Sequence, residues 1–165
     1  MQFPPFQSKQ EVVIHAPLQA VWEFGQDLTK IADYHPRVKR VDLISGKRQR
    51  GQGVAYMCYL KDGKNTCVEK DIEVVPMERI VTALPEDTMG ITNMLPDYLV
   101  ETRFTPLDEH ETKVEFRHYY STKSVKTRFL VGLPYLVEGH KTPFRRRSTG
   151  RGRLGEGKEA RCPDP

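Results

Sequence analysis

Apolar side chains along this 165-residue chain change period twice, from helical to alternating and back to helical. Glu11–His15 reads as a short strand. Pro17 then stands where a helix can begin, because the N–H it lacks would be unpaired in a first turn anyway. Leu18, Val21, Trp22 and Leu28 share one helical face, although Gly25 weakens the helix towards its end. A second helical stretch, Thr29–Tyr34, is stopped by His35-Pro36, since the residue before a proline is pushed out of the α region. The chain is expected to open β-α-α.

Alternation follows for about 80 residues, broken by turn signals into hairpins. Strands are expected near Val38–Ser45, Gly53–Leu60, Asn65–Val75, Arg79–Leu84, Tyr98–Thr105 and Thr112–Tyr120. The turns between them, at Gly46–Gly51, Asp62-Gly63, Pro76–Glu78 and Leu107–Glu111, carry the residues that reverse a chain. Successive side chains of a strand point to opposite faces. The last hairpin therefore puts Tyr98, Val100, Thr102 and Phe104 inside with Val114, Phe116, His118 and Tyr120. Glu101, Arg103, Lys113, Glu115 and Arg117 are expected on a solvated face. A loop centred on Glu109 pairs Phe104 with Val114, Thr102 with Phe116, Val100 with His118 and Tyr98 with Tyr120, so face and register agree.

In the middle of the sheet the same rule turns Val68, Lys70, Ile72 and Val74 inwards, opposite Ile80, Thr82 and Leu84, and Glu69, Asp71 and Glu73 outwards. The neighbouring strand is ambiguous. A two-residue Asp62-Gly63 turn places Met57 and Tyr59 inside, the preferred reading, whereas a three-residue loop places Tyr56 and Cys58 there.

From Ser124 the period is helical again, with Val125, Phe129, Leu130, Leu133, Leu136 and Val137 on one face and a kink expected at Pro134. Such a helix needs an apolar surface to cover, and the inner face of the sheet is the one large enough. The fold class expected is α+β: a curved antiparallel sheet of about six to seven strands wrapped on a long C-terminal helix, in the order β-α-α-β(5–6)-α. A chain of this size buries roughly 70% of its unfolded surface, enough for one core. Residues 1–140 form the expected ligand-binding domain.

Composition refines the picture in one place. The net charge of +4 is local, because residues 141–165 carry eight basic side chains against three acidic ones. That segment reads as a flexible Gly/Arg-rich tail, and the body before it is close to neutral. Cys58, Cys67 and Cys162 make no CxxC pair and no metal-ligand spacing with the five histidines. No metal site, no disulfide framework and no cofactor is expected, and a reducing, cytoplasmic setting fits. No apolar run approaches the ~18 residues that span a bilayer.

The run Glu-Val-Val-Ile-His-Ala-Pro-Leu-Gln-Ala-Val-Trp at 11–22, with Ala16-Pro17 before a helix carrying Val21-Trp22, resembles the superfamily of START domains, birch pollen allergen and polyketide cyclase/dehydrase proteins, known as SRPBCC. The resemblance continues through Asp27, Tyr34, His35-Pro36, Gly51 and Gly53, and the two hairpins Glu73–Arg79 and Tyr98–Tyr120. It implies a helix-grip fold with an internal cavity for lipids, sterols, quinones or polyketides. It implies no single activity.

The reading of function is binding or transport of a small hydrophobic ligand. Lining residues expected are the eight inner positions of the last hairpin, Met57, Tyr59, Lys70, Ile72 and Thr82 from the central strands, and Phe129 and Leu133 from the final helix. The alternative is a cofactor-independent aromatase/cyclase or dehydratase using His118, Tyr120 and Lys70 for acid-base chemistry, weakened by the lack of a carboxylate in the expected pocket. A further alternative is a protein-interaction module with a filled interior. Arg145, Arg146, Arg147, Arg151 and Arg153 suggest a weak contact with an anionic membrane surface. Specific nucleic-acid binding is not expected, since Phe144 is the basic stretch's one stacking aromatic. Monomer and homodimer both remain open.

Overall fold

The computed structural model describes residues 2–121. The expected C-terminal helix, with Phe129, Leu133 and Pro134, and the tail 141–165 lie outside the described residues. Within them, β1 (Phe6–Ile14) leads into α1 (Leu18–Gln26), a 3₁₀ turn (Leu28–Lys30) and α2 (Ile31–Tyr34). Strands β2 (Val38–Asp42), β3 (Ala55–Leu60), β4 (Thr66–Val75) and β5 (Arg79–Asp87) follow. A short helix, α3 (Ile91–Met94), precedes β6 (Leu99–Pro106) and β7 (Thr112–Tyr119). All pairings are antiparallel, in one seven-stranded sheet ordered β1-β7-β6-β5-β4-β3-β2.

One face of the sheet carries the helices. Val21 and Trp22 of α1 pack with Ile80, Phe104 and Val114, joined by Val12, Ile14, Val74 and Phe116. The Trp22 ring meets Phe104 edge-on, with centroids 5.2 Å apart. Towards the other end, Leu28 and Ile31 pack with Val38, Val54, Tyr56, Cys58, Leu60 and Cys67. The two clusters anchor the helical layer at both ends of the face and leave a band of sheet between them.

Several expectations are met closely. The β6–β7 register pairs Val100 with His118, Thr102 with Phe116 and Phe104 with Val114. β1 starts five residues earlier than its apolar pattern suggests, because the polar run Gln7–Gln10 is held in the sheet by pairing with β7.

Two expectations are corrected. Glu101 and Glu115 are not solvated, being only 2% and 6% exposed. Glu101 accepts from Arg103 Nε at 2.9 Å and from the Tyr119 hydroxyl at 2.8 Å, and Glu115 is ringed by Lys9, Lys113 and Arg117. The long stems of those cations lie over the carboxylates and close them from water. The second correction concerns β4. Its pairing with β5 shifts between Asp71 and Glu73, leaving Ile72 as an extra residue. An extra residue inverts every side chain beyond it. Val74 therefore stays inside, but Asp71, Glu69 and Cys67 turn inwards too, while Lys70 is exposed and Ile72 lies outside. A further shift between Val68 and Lys70 falls opposite Pro85, which has no N–H for the ladder. The β3–β4 register is the one a two-residue turn predicts, with Cys58 opposite Cys67 and Met57 opposite Val68. Once β4 is inverted, that register buries Tyr56, Cys58 and Leu60 and leaves Met57 and Tyr59 on the outer face. Arg40 covers the Tyr59 ring there, 3.5 Å from its centroid.

Phe104 is the joint between α1 and the sheet, since it meets both Trp22 and Gly25. Phe104→Ala is expected to lower the unfolding free energy by about 3–5 kcal/mol, measured by urea denaturation. A loss below about 1 kcal/mol would mean the helix is held elsewhere.

Candidate functional site

Arg50 is placed by loop backbone, not by a strand. Leu28 N–H donates to the Arg48 carbonyl at 2.9 Å and Arg50 N–H to the Gln26 carbonyl at 3.0 Å, stitching the β2–β3 connection to the end of α1. Asp27 secures the stitch. It accepts from Arg48 Nη2 at 2.6 Å and caps the 3₁₀ turn through Thr29 N–H. The Arg50 side chain then runs inwards, with Nε donating to the Gly25 carbonyl at 3.0 Å. Nη1 donates to Asp71 Oδ1 at 2.8 Å and to the Tyr56 hydroxyl oxygen at 2.7 Å, and Nη2 lies 3.5 Å from the Tyr34 hydroxyl.

The partners are themselves tied down. Thr82 donates to Asp71 Oδ1 at 3.0 Å, and the Tyr56 hydroxyl donates to Glu69 Oε2 at 2.7 Å. Asp71 is fully buried, yet its Oδ2 has no hydrogen-bond partner among the described residues. Burial opposes the charge on Arg50, but the oxygens of Tyr56, Tyr34, Asp71 and Glu69 around it keep the guanidinium protonated. Burial also raises the Asp71 carboxyl, with Arg50 and Thr82 pulling the other way. Burial, then the Glu69 charge, hold the Tyr56 phenol well above its ordinary value.

A second polar group lies across the sheet. The Tyr98 hydroxyl is 2.8 Å from His118 Nδ1, and the Tyr98 ring stacks on Tyr120 with centroids 5.8 Å apart. Burial, with the charge of Glu69 next, pushes the Tyr98 phenol up. Burial pushes His118 down to about 4. Tyr98 therefore keeps its proton and His118 is neutral at pH 7, so the bond joins two uncharged groups, each able to donate or accept. Strand register joins the two groups, since Thr82 pairs with both Asp71 and Val100, and Val100 pairs with His118. The row Asp71, Thr82, Val100, His118 crosses four strands on one face.

Of the lining residues expected, the eight of the last hairpin and Thr82 share this face. Met57, Tyr59, Lys70 and Ile72 do not, for the reason given by the β4 bulge, so Lys70 is removed from the acid-base candidates. The expectation of a pocket without carboxylates is also overturned, since Glu69 and Asp71 point inwards. Sequence reasoning missed Arg50 because it sits in a turn segment where alternation carries no information. A separate depression of about 820 Å³ lies where residues 2–5 pass the β5–β6 end of the sheet, lined by Phe3, Pro5, Ile72, Leu99 and Tyr98 among others. Among the described residues its titratable wall residues are Asp97 and Tyr98, the latter shared with the polar band. The buried polar band, not this depression, concentrates the chemistry. No helix among the described residues is long and apolar enough to cross a membrane.

The fold recurs in proteins of very different sequence. The Zhui aromatase/cyclase from a Streptomyces species is 19% identical over 76% of this chain and 81% of its own, with a TM-score of 0.58. Norcoclaurine synthase from Thalictrum flavum, solved with dopamine and hydroxybenzaldehyde, is 15% identical over 76% of this chain and 73% of its own, with a TM-score of 0.61. A START superfamily protein from Mycobacterium smegmatis is 12% identical over 78% of this chain and 88% of its own, with a TM-score of 0.58. At such identities the likeness establishes the helix-grip fold and nothing finer. No curated protein sequence matches the chain. The family model described as polyketide cyclase/dehydrase and lipid transport matches residues 5–140, and the chain belongs to that family.

Proposed function

We propose that this protein binds and carries a small, mostly apolar molecule bearing an oxygen function, of lipid, quinone or polyketide type, on the inner face of its sheet. The observation that carries this reading is the buried polar band between two apolar clusters. Burying Arg50, Asp71, Tyr56, Glu69, Tyr98 and His118 costs stability that apolar residues of similar volume would not. A few placed polar groups on an otherwise apolar wall are what orient a ligand carbonyl or hydroxyl. Arg50 is a donor, the His118 imidazole a donor or acceptor, and Asp71 Oδ2, without a partner among the described residues, is placed to accept a ligand hydroxyl. Cys58 and Cys67 are free thiols, in keeping with a reducing, cytoplasmic setting.

A cyclase or dehydratase reading is the second. It is favoured by the Tyr98–His118 hydrogen bond together with inward carboxylates, a set that can move a proton. It ranks behind the carrier because a histidine titrating near 4 is a weak base at neutral pH, whereas an efficient general base titrates near the working pH. In that reading His118 and Tyr98 would act, with Tyr120 stacked beside them.

Native mass spectrometry of the purified protein, followed by organic extraction, separates the readings. A retained small molecule is the expected result, with Tyr98→Phe weakening rebinding about fivefold to tenfold, the worth of one hydrogen bond. An interior that neither retains nor accepts any lipid, quinone or polyketide mimic would reject ligand carriage in favour of a filled interaction module. Turnover of a poly-β-ketone mimic that His118→Ala abolishes would establish the enzyme.

The same histidine sets a pH dependence. Native His118 stays neutral down to about pH 4 while the unfolded chain takes up a proton near pH 6.5, so stability falls as pH drops through that window. The loss is expected to approach about 3 kcal/mol, and His118→Gln should flatten it in urea titrations at successive pH values.

A further inference from the structure

The inner face holds one more cluster, which shares Glu69 with the polar band and adds two thiols that the ligand reading does not use. Cys58 and Cys67 stand directly opposite each other on β3 and β4, and Glu69 follows two residues on, on the same face. The side-chain ligand atoms of the three lie within 4.8 Å of one another. Leu60 N–H bonds to the Asn65 carbonyl and Asp71 N–H to the Val54 carbonyl, so the Cys58–Cys67 pair falls in step as a hydrogen-bonded pair, with Cα atoms about 5.5 Å apart. Glu69 commits Oε2 to the Tyr56 hydroxyl, while Oε1 faces the Cys58 thiol at 3.8 Å.

We propose that Cys58, Cys67 and Glu69 form a site for a thiophilic divalent cation, zinc by ligand type, with a fourth position left for water or a ligand oxygen. Two thiolates and a carboxylate at tetrahedral zinc, with Zn–S near 2.3 Å, require sulfur atoms about 3.8 Å apart. In the present cluster the three ligand atoms lie within 4.8 Å of one another, so side-chain adjustment on fixed strands brings them to that spacing. Charge favours a cation as well. Among the described residues, two inward carboxylates, Glu69 and Asp71, face the one guanidinium of Arg50, and two thiolates would add further negative charge that a bound cation offsets. A fixed Tyr56–Glu69 hydrogen bond orients the carboxylate from behind, the usual role of a second partner on a metal ligand. Strand pairing, not a short motif, brings the ligands together.

The site shares Glu69 with the carrier reading, but its test does not depend on any organic ligand, so the two can fail separately. The full chain, with Cys162→Ala to remove the third thiol, is reduced, stripped with chelator and titrated with cobalt and then zinc. One equivalent of cobalt is expected to bind with a thiolate charge-transfer band in the near ultraviolet and visible bands of tetrahedral intensity, displaced by zinc. Zinc X-ray absorption on the same protein should show two sulfur ligands near about 2.3 Å. Cys67→Ser should weaken binding at least about a hundredfold, and Glu69→Gln about tenfold with the charge-transfer band retained. Absence of the charge-transfer band in the unsubstituted pair overturns the proposal, as does unaltered cobalt affinity in Cys67→Ser. Quantitative conversion of the pair to a disulfide in air, with no metal uptake when reduced, would overturn it equally and assign the thiols a redox role. Because the charge-transfer band is read on the native pair, it decides for or against the site even where a variant fails to fold.

Discussion

A guanidinium buried in a protein must find anions and carbonyls in place of water, and its desolvation costs several kcal/mol even after relaxation. Arg50 meets that demand with partners from four separate elements: the Gly25 carbonyl from α1, the Tyr34 hydroxyl from α2, the Tyr56 hydroxyl from β3 and the Asp71 carboxylate from β4. None of these contacts is local in sequence except Tyr56. The pairing therefore fixes the helical layer over the sheet at the same time as it places a cation on the inner face. Asp71 reaches it only because β4 carries an extra residue at Ile72.

That bulge divides the molecule chemically. Without it, Lys70 and Ile72 would face inwards and the carboxylates of β4 would join the outer lattice of Glu73, Glu101 and Glu115 with their arginines and lysines. With it, the outer face keeps a closed network of paired charges, and the inner face receives Cys67, Glu69 and Asp71. The result is a wall apolar at both ends and polar across the middle. Such a wall suits an amphiphilic guest better than it suits simple packing. It also brings together two thiols and a carboxylate that no short motif unites.

Low dielectric gives these groups their character. Burial keeps His118 neutral, and burial with the nearby Glu69 charge keeps the Tyr98 and Tyr56 hydroxyls protonated. The face thus offers fixed donors and acceptors at neutral pH with little tendency to change protonation. That is a binding surface first. Proton transfer would need a guest that alters the field around His118 or draws on the inward carboxylates.

Short of the helix α3 between β5 and β6, the sequence by itself determined the opening strand and two helices, an antiparallel sheet of about six to seven strands, and the register and inner face of Tyr98–Tyr120. Each of these follows from local periods and turn residues, which act over a few positions. Tertiary structure alone decided the direction of β4, and with it Tyr56, Cys58, Cys67, Glu69 and Asp71. A bulge inverts a face without altering the side-chain period on either side of it, so Glu69-Lys70-Asp71-Ile72-Glu73 reads the same whichever face is buried. Arg50 was equally hidden, because a loop residue points where long-range hydrogen bonds hold its backbone, here to Gln26 and Leu28, and neighbours in the chain carry no record of that.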